Sequence, residues 1–190
     1  IGTDTYLQGR ISLPVINECV AVLSDFTSIL ETYRIGDCRT VATSAFREAQ
    51  NKVYVIEQIR RGSQLQIDVL CNTEERYFHI LAVAAQMPDF SVLAQEGVML
   101  VDIGAGSIQI TVFSQGELLF SQNMLLGSLR IRELLADLER RTADFAGLME
   151  AYISSDLTDY HPLEPKSIHY KNLIVLGGEM DQLKILAGQN

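Results

Sequence analysis

The stretch VMLVDIGAGSIQITVF, Val98 to Phe113, decides the fold. An apolar run carries one acid, Asp102, close to its end. Gly104, Ala105 and Gly106 then permit a sharp reversal, Ser107 follows, and a second apolar run leaves from Ile108. Two β-runs joined by a tight turn are predicted. Downstream, Leu118 to Leu125 predicts a third strand. From Ser128 to about Ile153 apolar residues recur with helical period (Ile131, Leu134, Leu135, Leu138), with a break predicted near Gly147. Ser154 to Ser167 reads as a loop, Asn172 to Leu176 as a strand, Gly177-Gly178 as a turn, and Met180 to Leu186 as the start of a helix.

Upstream the same alternation holds. Ile1 to Ile11 has no periodicity and reads as a loop. From Ser12, a plausible N-cap with Pro14 in the first turn, Ile16, Cys19, Val20, Leu23, Phe26 and Leu30 mark an amphipathic helix. Arg39 to Ala45 predicts a short strand followed by a polar turn, Val53 to Arg61 a helix, Leu65 to Cys71 a strand, and Asn72 to about Gln86 a helix capped by Asn72. Pro88 to Gly97 reads as a connector. Strands alternating with helices specify an α/β protein.

Composition narrows the class. With 190 residues, 47% hydrophobic and 21% charged, the chain can bury a core as one domain or two small ones. Its apolar runs stop short of the roughly 20 residues of a membrane helix, so neither a span nor a signal peptide is predicted. The three cysteines, Cys19, Cys38 and Cys71, are far apart and lack CxxC spacing. That argues against a disulfide framework or structural zinc and makes the cytoplasm the default compartment. Fifteen Lys+Arg against 24 Asp+Glu leave 15 − 24 = −9, which disfavours nucleic acid as a partner.

Several constellations can carry chemistry. Glycines after Asp102 let backbone N–H groups approach a phosphate, Ser107 adds a donor, and Asp102 can hold Mg²⁺ or orient a water; a plain β-hairpin turn is the alternative. Gly177-Gly178, after a strand and before a helix, repeats a plan that places phosphate on a helix N-terminus. Glu74 and Glu75 stand in the first turn of a helix, where a carboxylate can act as general base; Asn72 and Glu75 are equally spaced as a capping box. Thr43, Ser44 and Arg47 at a strand end can bind an anion, or Arg47 can pair with a nearby acid. The histidines, His79, His161 and His169, share no metal spacing.

Taken in order, ATSAFREAQN, VLCNTEERYFHILAVA, VMLVDIGAGSIQITVF, LLGSLRIRELL and NLIVLGG resemble the Ppx/GppA phosphatases, the exopolyphosphatase and guanosine pentaphosphate phosphohydrolase family. The resemblance covers most of the chain and implies the actin-like, ribonuclease H-like duplicated α/β fold, with a cleft between lobes at residues 1–95 and 96–190. It puts the family's water-activating carboxylate on Glu75, with Glu74 beside it. Asp102, Glu74 and Gln109 fall at Mg²⁺ positions, and Gly104, Ala105, Gly106, Ser107, Gly177 and Gly178 at phosphate-binding positions. Arg47 would neutralise substrate.

The departures are specific. The family's G-x-E-E-A is here Asn72-Thr73-Glu74-Glu75-Arg76, and its D-I-G-G-G-S-T-E ends here in Ile108-Gln109. A neutral amide replaces a carboxylate, which weakens the binding of a hard cation. The family's D-x-G-S-N-S loop and its helical C-terminal region have no counterpart in these 190 residues, so the chain alone is expected to be inactive. The resemblance implies a cytoplasmic Mg²⁺-dependent hydrolase acting on inorganic polyphosphate or pppGpp, with no nucleic-acid or membrane partner and homodimerisation open. The alternative is a phosphate- or nucleotide-binding regulatory module that has lost catalysis. An ATP-dependent kinase of the same fold fits less well, because Glu74-Glu75 and TSAFREA point to the phosphatase branch.

Overall fold

The structure, a computed structural model, describes residues 1–160, 170–178, 180 and 185. Packing divides the chain into two units, Ile1–Glu75 and Arg76–Asn190. The division falls earlier than the boundary expected near residue 95, because the chain from Val83 to Ala94 buries its apolar side chains against Val98, Leu100 and Phe113.

The first unit holds α1 (Gly2–Gln8), α2 (Leu13–Thr32), β1 (Thr40–Ala42), α3 (Ser44–Glu48), α4 (Lys52–Ser63) and β2 (Ile67–Val69), and ends in α5 (Asn72–Gln86). β1 and β2 pair in parallel, with Thr40 opposite Ile67 and Ala42 opposite Val69. Ile16, Phe46, Val55, Ile59 and Ile67 form the core, with Cys19, Val20, Leu23 and Ala42 packed on it. The predicted α2, α4 and β2 are present; the strand expected over Arg39–Ala45 is shorter, ending at Ala42, and the polar turn expected after it is the helix α3, which buries Phe46 in the core.

The N-terminal stretch is a helix rather than the expected loop. Asp4 accepts the Ser12 N–H (2.8 Å), the Tyr6 hydroxyl meets the Ser44 hydroxyl (2.9 Å), and Gly9 ends α1 in a left-handed conformation. These tertiary bonds hold a seven-residue helix that periodicity could not reveal. Hydrogen bonding from the Ser12 side chain, and then from its N–H, holds the Asp4 carboxyl below its ordinary range. α2 is, by length and composition, long and apolar enough to cross a bilayer, which its interrupted apolar runs did not predict. In the fold one stripe of it packs on the core, while Val22, Phe26 and Ile29 stay about half exposed.

The second unit contains α6 (Phe90–Glu96), β3 (Val98–Ile103), β4 (Ile108–Ser114), β5 (Glu117–Met124), α7 (Ser128–Glu139), α8 (Phe145–Tyr160) and β6 (Asn172–Leu176). The sheet runs β5-β4-β3-β6, antiparallel except for β3 with β6. Gln115 and Gly116, both at positive φ (55° and 79°), close the two-residue turn between β4 and β5. One sheet face carries Ile110, Val112 and Met124 against Ile131 and Leu135 of α7 and Phe145, Met149 and Ile153 of α8. The other carries Val98, Leu100 and Phe113 against Val83 of α5 and Phe90 and Ala94 of α6.

Three expectations are corrected in this unit. The connector Pro88–Gly97 contains α6, held by the burial of Phe90, whose ring stands edge-on to Phe113 at 5.6 Å. The helical stretch after Ser128 breaks at Arg140–Asp144 instead of Gly147, because Asp144 Oδ1 accepts the Gly147 N–H (2.9 Å) near the start of α8. α8 then runs through Tyr160, where a loop was expected; the rest of that loop and most of the helix expected at Met180–Leu186 lie outside the described residues.

Candidate functional site

In each unit the candidate residues cluster at the carboxyl ends of parallel strands, where ligands bind in open α/β sheets. In the first unit, β1 feeds Thr43, Ser44 and Arg47, and β2 feeds Leu70, Cys71 and α5. Arg47 Nη1 donates to Glu75 Oε2 (2.9 Å) and to the Leu70 carbonyl (2.8 Å). Both side chains of the pair are largely buried, 18% and 14% exposed. The two residues assigned opposite roles, base and substrate cation, are thus bound to each other. Arg47 fixes the rotamer of Glu75, and Lys52 Nζ donates to the Arg47 carbonyl (3.1 Å).

Glu74 has a different position. Its Oε2 accepts the Cys71 N–H (2.8 Å), so the cap of α5 is Cys71 with Glu74, one residue earlier than the spacing of Asn72 and Glu75 predicts. That bond holds the Glu74 carboxyl below its ordinary range. Glu75 is thereby released from capping.

In the second unit the turn from Gly104 to Ser107 closes on itself, Gly104 N–H donating to the Ser107 carbonyl (3.0 Å). Among the described residues the N–H groups of Ala105, Gly106 and Ser107 have no hydrogen-bond acceptor. Successive N–H groups in a tight turn make an anion-binding concavity. Gly177 follows β6, whose last residue Leu176 pairs with Asp102, so both glycine turns leave the same end of the sheet. Gly177 has φ +154°, and a Cβ there would come 2.9 Å from the Ile103 carbonyl oxygen. Gly178 has open space around it.

Asp102, Gln109 and Asn123 form one row across β3, β4 and β5, directly opposite one another. Gln109 is 3% exposed, and its Oε1 and the Asn123 Oδ1 are buried without a hydrogen-bond partner among the described residues. Unsatisfied buried amide oxygens are costly, and a cation beside Asp102 would satisfy them. Mg²⁺ is held through one or two carboxylates and keeps several waters, so Asp102, with the neutral Gln109 oxygen beside it, fits it. Among the described residues no three His, Cys, Asp or Glu side chains gather, and Glu74, the third expected ligand, is the helix cap.

Two residues of this unit were not singled out by any motif. His79 Nδ1 lies 3.1 Å from Asp102 Oδ2, whereas its spacing to the other histidines suggested no site. Its position about two turns after the α5 cap could not disclose a contact with β3. Arg130, 9% exposed, donates from Nε to the Gly106 carbonyl (2.6 Å); the motif LLGSLRIRELL contained it without indicating its partner.

Comparison with known proteins gives the chain's family and fold. The profile of the Ppx/GppA phosphatase family matches residues 1–187. Among curated relatives, Exopolyphosphatase 1 of Mycobacterium leprae is 27% identical over 156 residues, which span 80% of this chain and 44% of that protein. A bifunctional 3-dehydroquinate synthase/phosphatase of Fusobacterium nucleatum is 24% identical over 136 residues, 70% of this chain and 20% of that protein. The chain therefore spans less than half the length of either. An exopolyphosphatase structure from Cytophaga hutchinsonii superposes with a TM-score of 0.74 at 21% identity, covering 94% of this chain and 56% of that one. The Aquifex aeolicus Ppx/GppA structure gives 0.67 at 22% identity, covering 98% and 57%. These likenesses establish the α/β fold implied by the sequence motifs.

Proposed function

Because this chain belongs to the Ppx/GppA phosphatase family over residues 1–187, we propose that its protein is a phosphoanhydride hydrolase that removes a terminal phosphate from inorganic polyphosphate or pppGpp. The observation that carries this reading is the turn after Asp102, whose Ala105, Gly106 and Ser107 N–H groups have no acceptor among the described residues. They suit the non-bridging oxygens of a phosphoryl group, and Gly177 and Gly178 leave backbone accessible at the same sheet end.

Asp102 and Gln109 would hold Mg²⁺, which when bound would neutralise charge on the phosphoryl oxygens. Glu75, held by Arg47, takes the proton of the attacking water. The water oxygen forms the new bond to the terminal phosphorus, which departs as inorganic phosphate; the bridging P–O bond breaks, and its electron pair stays on the bridging oxygen of the shortened polyphosphate or guanosine nucleotide. Of the two substrates we put polyphosphate first, since the M. leprae and C. hutchinsonii relatives carry the name exopolyphosphatase. The cytoplasm suits three cysteines that form no disulfide.

Phosphate release by the intact protein tests this, with Mg²⁺ and with polyphosphate and pppGpp offered separately. Release that disappears in Glu75→Gln supports a hydrolase and identifies its substrate. A second reading, a binding module without catalysis, is favoured by Gln109, a neutral amide beside Asp102. Folded protein that binds either compound without releasing phosphate would establish that reading instead.

A further inference from the structure

Resting on the reading of the Gly104–Ser107 turn as a phosphoryl cradle, we propose that Arg130 and the first residues of α7 are positioning residues that hold this cradle open. Three successive carbonyls of the turn are engaged from one side by one short segment. Ser128 N–H donates to the Gly104 carbonyl (3.1 Å), Arg130 N–H to the Ala105 carbonyl (3.0 Å), and Arg130 Nε to the Gly106 carbonyl (2.6 Å). A peptide plane fixes its C=O and the following N–H on opposite sides. Drawing the carbonyls of residues 104, 105 and 106 toward α7 therefore turns the N–H groups of residues 105, 106 and 107 away from it, and those are the groups without an acceptor among the described residues.

The segment is built for this contact. Gly127, the N-cap of α7, lies so close to the turn that an added Cβ would overlap the carbonyl carbons of Ala105 and Gly106 and the Ser107 nitrogen. Arg130 is a charged side chain only 9% exposed. A guanidinium is seldom buried without a demanding partner, and here it aims Nε at a peptide carbonyl. Fixed donors gain their value from being oriented before the substrate arrives. The clamp supplies that orientation without touching substrate.

Two variants separate positioning from folding. Arg130→Lys keeps the charge and removes the Nε donor. Ser128→Pro replaces the N–H that reaches Gly104 by a ring methylene that pushes its carbonyl away: residue 128 is the first of α7, a position that tolerates proline, and Gly127 already has φ −63° and ψ 148°, the extended conformation required before proline. Tripolyphosphate is titrated into the intact protein, and the backbone amide resonances of Gly106 and Ser107 are followed. In wild type these resonances move and saturate. In each variant the affinity falls roughly tenfold, the loss of about one well-aligned hydrogen bond, while the melting temperature and the resonances of α2 and α4 stay in place. If Arg130→Lys fails to fold, Ser128→Pro decides alone. Folded variants that bind as wild type does would overturn the clamp and leave the cradle standing. A wild-type protein whose Gly106 and Ser107 amides never respond would overturn the cradle, and the clamp with it.

Discussion

At the scale of single residues, Arg47 and Glu75 engage each other, and that pairing shapes what each can do. A carboxylate held 2.9 Å from a guanidinium, with both side chains mostly out of solvent, has a fixed direction. A base needs a fixed direction more than it needs freedom. Glu75→Gln preserves shape and removes the proton acceptor, so phosphate release should fall by roughly 10²–10⁴-fold with tripolyphosphate affinity unchanged; release kinetics beside a binding titration check it, and a rate near wild type would displace Glu75 as the base. Gln109 is the complementary case. Its buried oxygen opposite Asp102, without a partner among the described residues, would meet a cation only as a neutral dipole. Gln109→Glu should lower the Mg²⁺ concentration for half-maximal release, and an unchanged Mg²⁺ dependence would mean that the cation is held elsewhere.

At the scale of elements, the start of α5 carries a pH dependence whose sign follows from its cap. The Cys71 N–H holds the Glu74 carboxyl below its ordinary range, so the ionised form is favoured in the folded chain. Such a group contributes stability above its unfolded pKa of about 4.3. The contribution is lost as pH falls through the lower, folded value. Glu74→Gln can still accept the bond but does not titrate, so wild type should lose melting temperature relative to this variant on acidification; parallel curves would dismiss the cap. α6 offers a packing test. Phe90 is 9% exposed and edge-on to Phe113, so Phe90→Ala should cost about 3–5 kcal/mol, read by denaturant unfolding. α6 also marks a limit of sequence reading. Long periodic elements such as α2 and α5, and the apolar runs of β3 and β4, were legible because one period repeats over enough residues to be seen. α1, α3 and α6 run 7, 5 and 7 residues. At that length the stabilising contacts come from chain far away, and no local period records them.

At the scale of the whole molecule, the candidate site was legible as motifs and illegible as pairings. Asp102, Glu75 and the glycine turns could be located by residue type, whereas the links Arg47 to Glu75, His79 to Asp102 and Arg130 to Gly106 join residues 28, 23 and 24 positions apart, distances over which only the fold brings side chains together. Charge extends the same argument. A formal −9 opposes any polyphosphate, so the proposed cradle must bind anions against the field of its own chain. If short-range N–H groups do most of the binding, salt screens the long-range repulsion and leaves the contacts nearly untouched, since the Debye length shrinks from about 30 Å at 0.01 M to about 10 Å at 0.1 M. Tripolyphosphate affinity without Mg²⁺ should then hold or rise across that range. A site dominated by Lys and Arg behaves in the opposite way, its affinity falling steeply as salt is added. Calorimetric titration at both salt concentrations distinguishes the two: a steep fall would move the binding from the Ala105, Gly106 and Ser107 amides to basic side chains such as Arg39 and Lys52.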